Sequence, residues 1–375
     1  LAKERLKNMN REIFLQTNQL IRNKRPDLNE VKACTATPVG DMLEIAFTSK
    51  RCRNDKAGTC IMCDYGYSIK KWSDDEYIES FRDILNCDLQ KYKSIHLCAN
   101  GSMMDEYQIS TDLFSRIINE LKNCSVSEIG IETHFNTITE DKLSLIQQTL
   151  PNKNIYIEMG LETINPQCLS SLIMKSIDLS KLDKTINLIK KFGFAVVLNV
   201  LLGMPFMSPA EQLKDAEQTT LWVLERDCRT VIFPINIKPF TLLYYMYSSG
   251  FYQPVSHWLL IVLLNSLPAN FLDKITVAYY GNRDESYVNI DQHTVFPVCC
   301  PICEQSLFKF YHSFNHVYDW NYRKKLINRL IEQVSCDCLF KQIEDIKKQN
   351  DETFSKRLEL FAIHLEKVAI TGELN

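Results

Sequence analysis

Three cysteines fall within twelve residues of one another: Cys52, Cys60 and Cys63, in the stretch RCRNDKAGTCIMCDYGY at 51–67. Seven residues and then two separate them. Three thiolates are one short of the four that close a structural zinc or iron–sulfur site, so a metal held here would keep one corner free. Free cysteine is also a common core residue. The charged, glycine-containing setting speaks against that role, and a Cys-x2-Cys pair with a third cysteine just upstream reads as a metal loop. With no histidine nearby, iron–sulfur fits better than zinc.

A second group lies towards the C-terminus, where Cys299, Cys300 and Cys303 form a CCxxC run and Cys336 and Cys338 a CxC pair. Its simplest four-thiolate set is Cys300, Cys303, Cys336 and Cys338, with Cys299 as an alternative ligand. Spacing leaves zinc, an auxiliary iron–sulfur cluster and scattered buried thiols all open. His312 and His316 lie between the two pairs at helical spacing and read as a helix face.

The elements that must position these groups alternate. An amphipathic helix over 1–25 reads as a cap or brace, with Leu6, Ile13, Leu15 and Leu20 on its apolar side. Strands are expected at 43–47, 94–98, 128–132, 155–160, 195–202 and 230–237, with another at 274–280. Helical segments separate them, the first opened by a capping box of Ser73 and Glu76. This is the pattern of strand–helix units in a parallel sheet, and six units favour a partial (β/α)6 TIM-like barrel over a flat one. Polar residues at the C-terminal ends of the strands would line its site, which makes Glu132 and His134 candidates for substrate contact and catalysis. The division expected is a helical cap over 1–40, a barrel over 41–290 and a helical, cysteine-containing extension over 291–375.

At 375 residues and 45% hydrophobic the chain can bury a large core. The longest apolar run, Trp258 to Leu264, is too short for a bilayer, and the charged start LAKERLKNMNREIF does not read as a signal peptide. A reducing, cytoplasmic setting follows as the expectation, in which fourteen cysteines are metal ligands sooner than disulfides. A net charge of −3 argues against a global basic field for nucleic acid. The short runs at Arg22, Lys24 and Arg25 and at Arg323, Lys324 and Lys325 read as solvated faces.

Six stretches in order resemble the radical S-adenosylmethionine enzymes: 51–67 above, ANGSMMDEYQI (99–109), GIETHFNTI (130–138), IEMGLETINPQCLSSLIMKSI (157–177), LNVLLGMPFMSPAEQLKDA (198–216) and FPINIKPFTLL (233–243). The seven-residue gap after Cys52 departs from the commonest motif of that superfamily, which has three. It is similar to the elongator-catalytic-subunit-like branch, and within it to the archaeosine-biosynthesis lyases.

The resemblance implies a 4Fe-4S cluster on Cys52, Cys60 and Cys63, with S-adenosylmethionine as the missing ligand. Its reductive cleavage would give a 5'-deoxyadenosyl radical that abstracts a substrate hydrogen. By the same resemblance Asn100, Gly101 and Ser102 meet the methionine amino group, Glu162 the ribose and Lys175 the cofactor carboxylate. Asn199 and Gly203 pass under the adenine, and Met62 packs near cluster and adenine. A flavodoxin- or ferredoxin-type electron donor is implied as well. The archaeosine pattern carries an arginine–proline pair where this chain has Glu132-Thr133-His134. That difference favours a free nucleoside or other small molecule, as in natural-product biosynthesis, over a tRNA lyase substrate. From another class, the rival is a non-catalytic, zinc-stabilised binding module.

Overall fold

A computed structural model describes residues 2–25, 32–64, 72–99, 101–278, 294–348 and 352–371. Eight strands form one sheet in sequence order: β1 (Cys34–Val39), β2 (Met42–Phe47), β3 (Ser94–Ala99), β4 (Glu128–Glu132), β5 (Asn154–Glu162), β6 (Ala195–Leu202), β7 (Arg229–Pro234) and β8 (Ile275–Val277). From β2 onward every neighbouring pair is parallel, and β1 pairs antiparallel with β2. Among the described residues β1 and β8 do not meet, so the sheet is a partial TIM-like barrel, open between its edges. The antiparallel β1 is the addition to the seven expected strands.

Alternation along each strand separates two chemistries. Ile45, Leu97, Ile131, Ile157 and Leu198 face outward into one core with Phe81, Phe114, Ile146 and Ile186 of the crossover helices. Each such side chain contributes about 1.5–3 kcal/mol by leaving water. Their neighbours on the other face are polar: Glu44 on β2, His96 on β3, Glu132 on β4, Tyr156, Glu158 and Glu162 on β5, and Asn199 on β6. The helices are capped where the sequence provides caps, with full capping boxes at Ser73/Glu76 and Ser208/Glu211.

One interior layer is closed by substitution of space. A Cβ on Gly130 would lie 2.1 Å from Cζ of Tyr156, so the tyrosine ring occupies the room the glycine leaves. The Tyr156 hydroxyl meets His96 Nδ1 at 3.1 Å and donates to Met42 Sδ at 3.7 Å.

The first and last helices, Ala2–Arg22 and Phe354–Thr371, share an apolar cluster with the cysteine loop. Phe14 and Phe361 meet edge to face at 5.5 Å, while Leu20, expected on the apolar side, is exposed. Both basic runs prove partly internal. Arg22 and Arg323 are buried because each guanidinium answers several backbone carbonyls: Asp55, Cys60 and Cys63 for Arg22, and Leu272, Ile275 and Val317 for Arg323. Among the described residues no helix is long and apolar enough to cross a membrane. The remainder of the extension comprises Pro301–His316, Trp320–Glu332 and Cys338–Lys347.

Candidate active site at the C-terminal mouth of the half-barrel

The cysteine loop leaves the C-terminal end of β2 and is fastened from behind. Cys52 precedes the short helix Arg53–Lys56, and Cys60 takes a left-handed backbone (φ 54). The Cys60 N–H donates to Ile173 O at 2.9 Å and the Cys63 N–H to Cys60 O at 2.9 Å. One guanidinium serves both of those cysteines, since Arg22 donates to Cys60 O at 2.7 Å and Cys63 O at 2.9 Å. Its charge is met by buried Asp55 at 3.2 Å, which also pairs with Arg25 at 2.9 Å and Arg51 at 2.8 Å. Asn18 ties the loop further by donating to Gly58 O and accepting from the Leu242 N–H.

Burial pushes the Cys60 thiol up to about 11, with the nearby lysine Lys175 pulling the other way. A thiol so placed is inert in free form, and a bound metal is what would draw off its proton. Opposite stands Gly101 at the end of β3 (φ 145), where a Cβ would come to 3.0 Å from Cys52 Sγ and 2.5 Å from Gln108 Oε1. Of the three half-buried thiols, Cys52 faces a cradle that admits no side chain, and three cysteines on one fastened loop suit the cluster the resemblance implies. The loop after β3 is pinned to the cysteine loop by Arg53 on Asp105 at 2.8 Å and Gln108 on Lys50 O at 2.9 Å.

Asn100 lies outside the described residues. Ser102 is buried with its hydroxyl engaged: it meets Thr133 Oγ1 at 2.7 Å and Thr137 Oγ1 at 3.0 Å and accepts from the His134 N–H at 3.1 Å. It latches β3 to β4 and leaves the Gly101 backbone as the part of this loop that faces Cys52.

Glu162 and Lys175 form an ion pair at the end of β5, in space that a Cβ on Gly160 would fill. Glu162 (φ 70) follows a register shift, and Met174 (φ 55) and Ser176 (φ 54) flank the lysine in the same left-handed region. Four non-glycine residues in a sparsely populated conformation gather around one end of the barrel once Cys60 is included, as strained functional sites do. Burial alone would lower Lys175, but Glu162 and then Cys60 hold it above its usual value.

Glu132 is raised well above the carboxylate range, by burial and then by Glu158 and Glu44. His134 is lowered to about 4, again by burial first and then by Lys175. Its Nδ1 accepts from the Asn136 N–H at 3.2 Å, so the proton sits on Nε2, which is buried without a partner. Asn199 donates to Glu158 Oε1 at 2.9 Å and leaves its own Oδ1 unpartnered. The Gly203 carbonyl (φ 106) accepts from the Tyr252 hydroxyl at 2.6 Å. Met62 is buried with Phe14, Met174 and Met204.

Glu44, His96 and Glu158 were absent from the sequence-based set. Their signal was the period-two alternation in MLEIAF, SIHLCA and NIYIEMGLE, which puts Glu44, His96 and Glu158 on the face opposite the apolar core positions.

No family model matches the chain. In sequence it is similar to an uncharacterised protein of Methanocaldococcus jannaschii, 24% identical over 61% of this chain and 65% of that one. It is also similar to the archaeosine synthase subunit beta of Methanosarcina acetivorans, 24% identical over 60% of this chain and 67% of that one. The chain thus spans just under two thirds of the first of these relatives. Among solved structures, the radical S-adenosylmethionine methyltransferase TsrM of Kitasatospora setae aligns at a TM-score of 0.46, with 10% identity over 77% of this chain and 61% of that one. Elp3 of Methanocaldococcus infernus aligns at 0.43, with 13% identity over 74% and 64%. In sequence, then, the chain is similar to the archaeosine synthase beta subunits, at 22–24% identity.

Proposed function

We propose that the chain is a radical S-adenosylmethionine enzyme acting on a nucleoside. The observation that carries this reading is the fastened cysteine loop facing Gly101 at the mouth of a half-barrel whose inner wall is polar. Cys52, Cys60 and Cys63 would hold a 4Fe-4S cluster, with S-adenosylmethionine completing its coordination. When bound, that pair supplies a 5'-deoxyadenosyl radical for hydrogen abstraction, on an electron from a flavodoxin- or ferredoxin-type donor in the cytoplasm. The chain's own part is to hold and exclude: Glu162 and Lys175 anchor the polar end of the cofactor, the Gly101 and Gly203 backbones give it close approach, and Met62 backs the loop.

Glu132 and His134 meet the substrate. Burial favours the uncharged form of both: His134 is neutral at neutral pH and offers its Nε2–H, and Glu132 holds its proton more firmly than an ordinary carboxylate. Glu44, Glu158 and Glu162 share this interior with Lys175, which is already paired with Glu162. A phosphate would be repelled there, so a neutral or cationic part of the substrate enters and any phosphate stays outside. A free nucleoside or other small molecule satisfies this directly, as does a tRNA whose modified base alone reaches in. The names of two sequence relatives, archaeosine synthase subunit beta, favour the tRNA form.

Anaerobically reconstituted, reduced protein given S-adenosylmethionine should produce 5'-deoxyadenosine, and Cys60→Ala should not. Persistence of product in that variant would sink the cluster assignment. Salt-sensitive retention of tRNA in a gel shift would select the tRNA form over the free nucleoside.

A further inference from the structure

We propose that Cys300, Cys303, Cys336 and Cys338 bind a single zinc ion that staples the C-terminal helices to the half-barrel. Their four sulfurs all lie within 4.8 Å of one another, with Cys300 and Cys303 at 3.5 Å. Cys300, Cys303, Cys336 and Cys338 are in no disulfide, so the set is not two bridged pairs. Four thiolates tetrahedral about one zinc at about 2.3 Å stand about 3.8 Å apart along each edge. The cysteine set already has that scale. A four-iron cluster puts a different iron behind each sulfur and needs them spread wider, so the geometry favours one ion over an auxiliary cluster.

The surroundings are built for it. Cys300 precedes the helix Pro301–His316 and Cys303 lies in its first turn, its N–H donating to Cys300 O at 3.1 Å. Cys336 and Cys338 open the helix Cys338–Lys347 from the other side. Trp258 donates its indole N–H to Cys303 Sγ at 3.4 Å, the kind of bond that orients a ligand sulfur from outside the coordination sphere. Cys303 is buried and its three partners are half-buried, which suits a closed, structural site with no open coordination position. His312 and His316 stack on each other at 4.1 Å and are not part of the group.

The staple also has a reach. Val298, two residues before Cys300, accepts from the His257 N–H at 3.0 Å and donates to Val255 O at 2.8 Å, and Val295 pairs with Ile237 beyond β7. Fixing residue 300 therefore fixes a segment that runs back to the mouth of the barrel.

Metal analysis of the full chain, purified anaerobically from medium supplemented with both iron and zinc, tests this. About one zinc per chain is expected, and zinc X-ray absorption on the wild-type protein should show four sulfurs at about 2.3 Å. The zinc should stay in Cys52→Ala/Cys60→Ala/Cys63→Ala, which removes the other thiol set. Cys303→Ser/Cys336→Ser should lower zinc occupancy by at least about tenfold while iron content is kept. Iron and sulfide remaining in the triple variant would overturn the proposal in favour of an auxiliary cluster. Zinc absent from the wild-type protein, or bound there through other ligands, would overturn it outright.

Discussion

Asp55 sits inside the cysteine loop as the buried partner of Arg22, their Oδ1 and Nε 3.2 Å apart although 33 residues separate them in the chain. The same carboxylate also meets Arg25 and Arg51. Asp55→Ala would leave three guanidinium groups crowded together with no counter-charge. Breaking a buried pair from one side costs about 3–5 kcal/mol. The urea midpoint should fall accordingly, and iron uptake on reconstitution should fall with it. A variant that keeps both would show that the loop does not depend on this pairing.

The ion pair of Glu162 and Lys175 gives a second prediction. If these residues hold the cofactor, Lys175→Met should leave iron content unchanged and weaken S-adenosylmethionine binding. A charge-assisted hydrogen bond is worth about 1.5–3 kcal/mol, or about 10- to 100-fold in Kd. The change in the electron paramagnetic resonance signal of the reduced protein on adding S-adenosylmethionine gives the affinity. An unaltered Kd would remove Lys175 from the site.

Glycine substitutions separate crowding from strain. Gly101→Ala meets Gln108 at 2.5 Å and Cys52 Sγ at 3.0 Å with φ 145, whereas Gly250→Ala has a positive φ of 79 and nothing within 4 Å. The second should cost about 1 kcal/mol through backbone strain alone. The first should cost more and, in addition, lower iron content. Equal iron content in the two variants would argue against Gly101 as the cradle.

His134 makes a prediction about acid. Its pKa in the fold is lowered to about 4, while the unfolded chain would hold it near about 6.5. Between those values the unfolded state binds the extra proton, so the contribution of this residue is complete above about pH 6.5 and is lost as pH falls towards about 4. The full difference is about 3 kcal/mol. His257, lowered in the same way by burial, is present in wild type and variant alike and cancels. His134→Gln should therefore show a flatter acid limb in denaturant titrations over that window, and parallel limbs would disprove the burial argument.

The barrel was legible because its strands are short apolar runs between capped helices, and local pattern decides both. Ser73/Glu76 is read directly from spacing and forms as read. Arg22 and Arg323 were not legible, because what buries them lies tens of residues away and a basic run looks the same whether it faces water or a carbonyl. β1 was missed for a related reason: CTATPV carries a proline and few apolar residues, and it pairs only at an edge of the sheet. The thiol groups were legible as spacings, but only the fold could bring Cys300 and Cys303 to Cys336 and Cys338.

Tyr156 lying across Gly130 fills the barrel interior at the level of His96 and Met42. Any side chain at position 130 would have to evict that ring, so the two positions are bound to change together: a larger residue at 130 is tolerated only with a smaller one at 156.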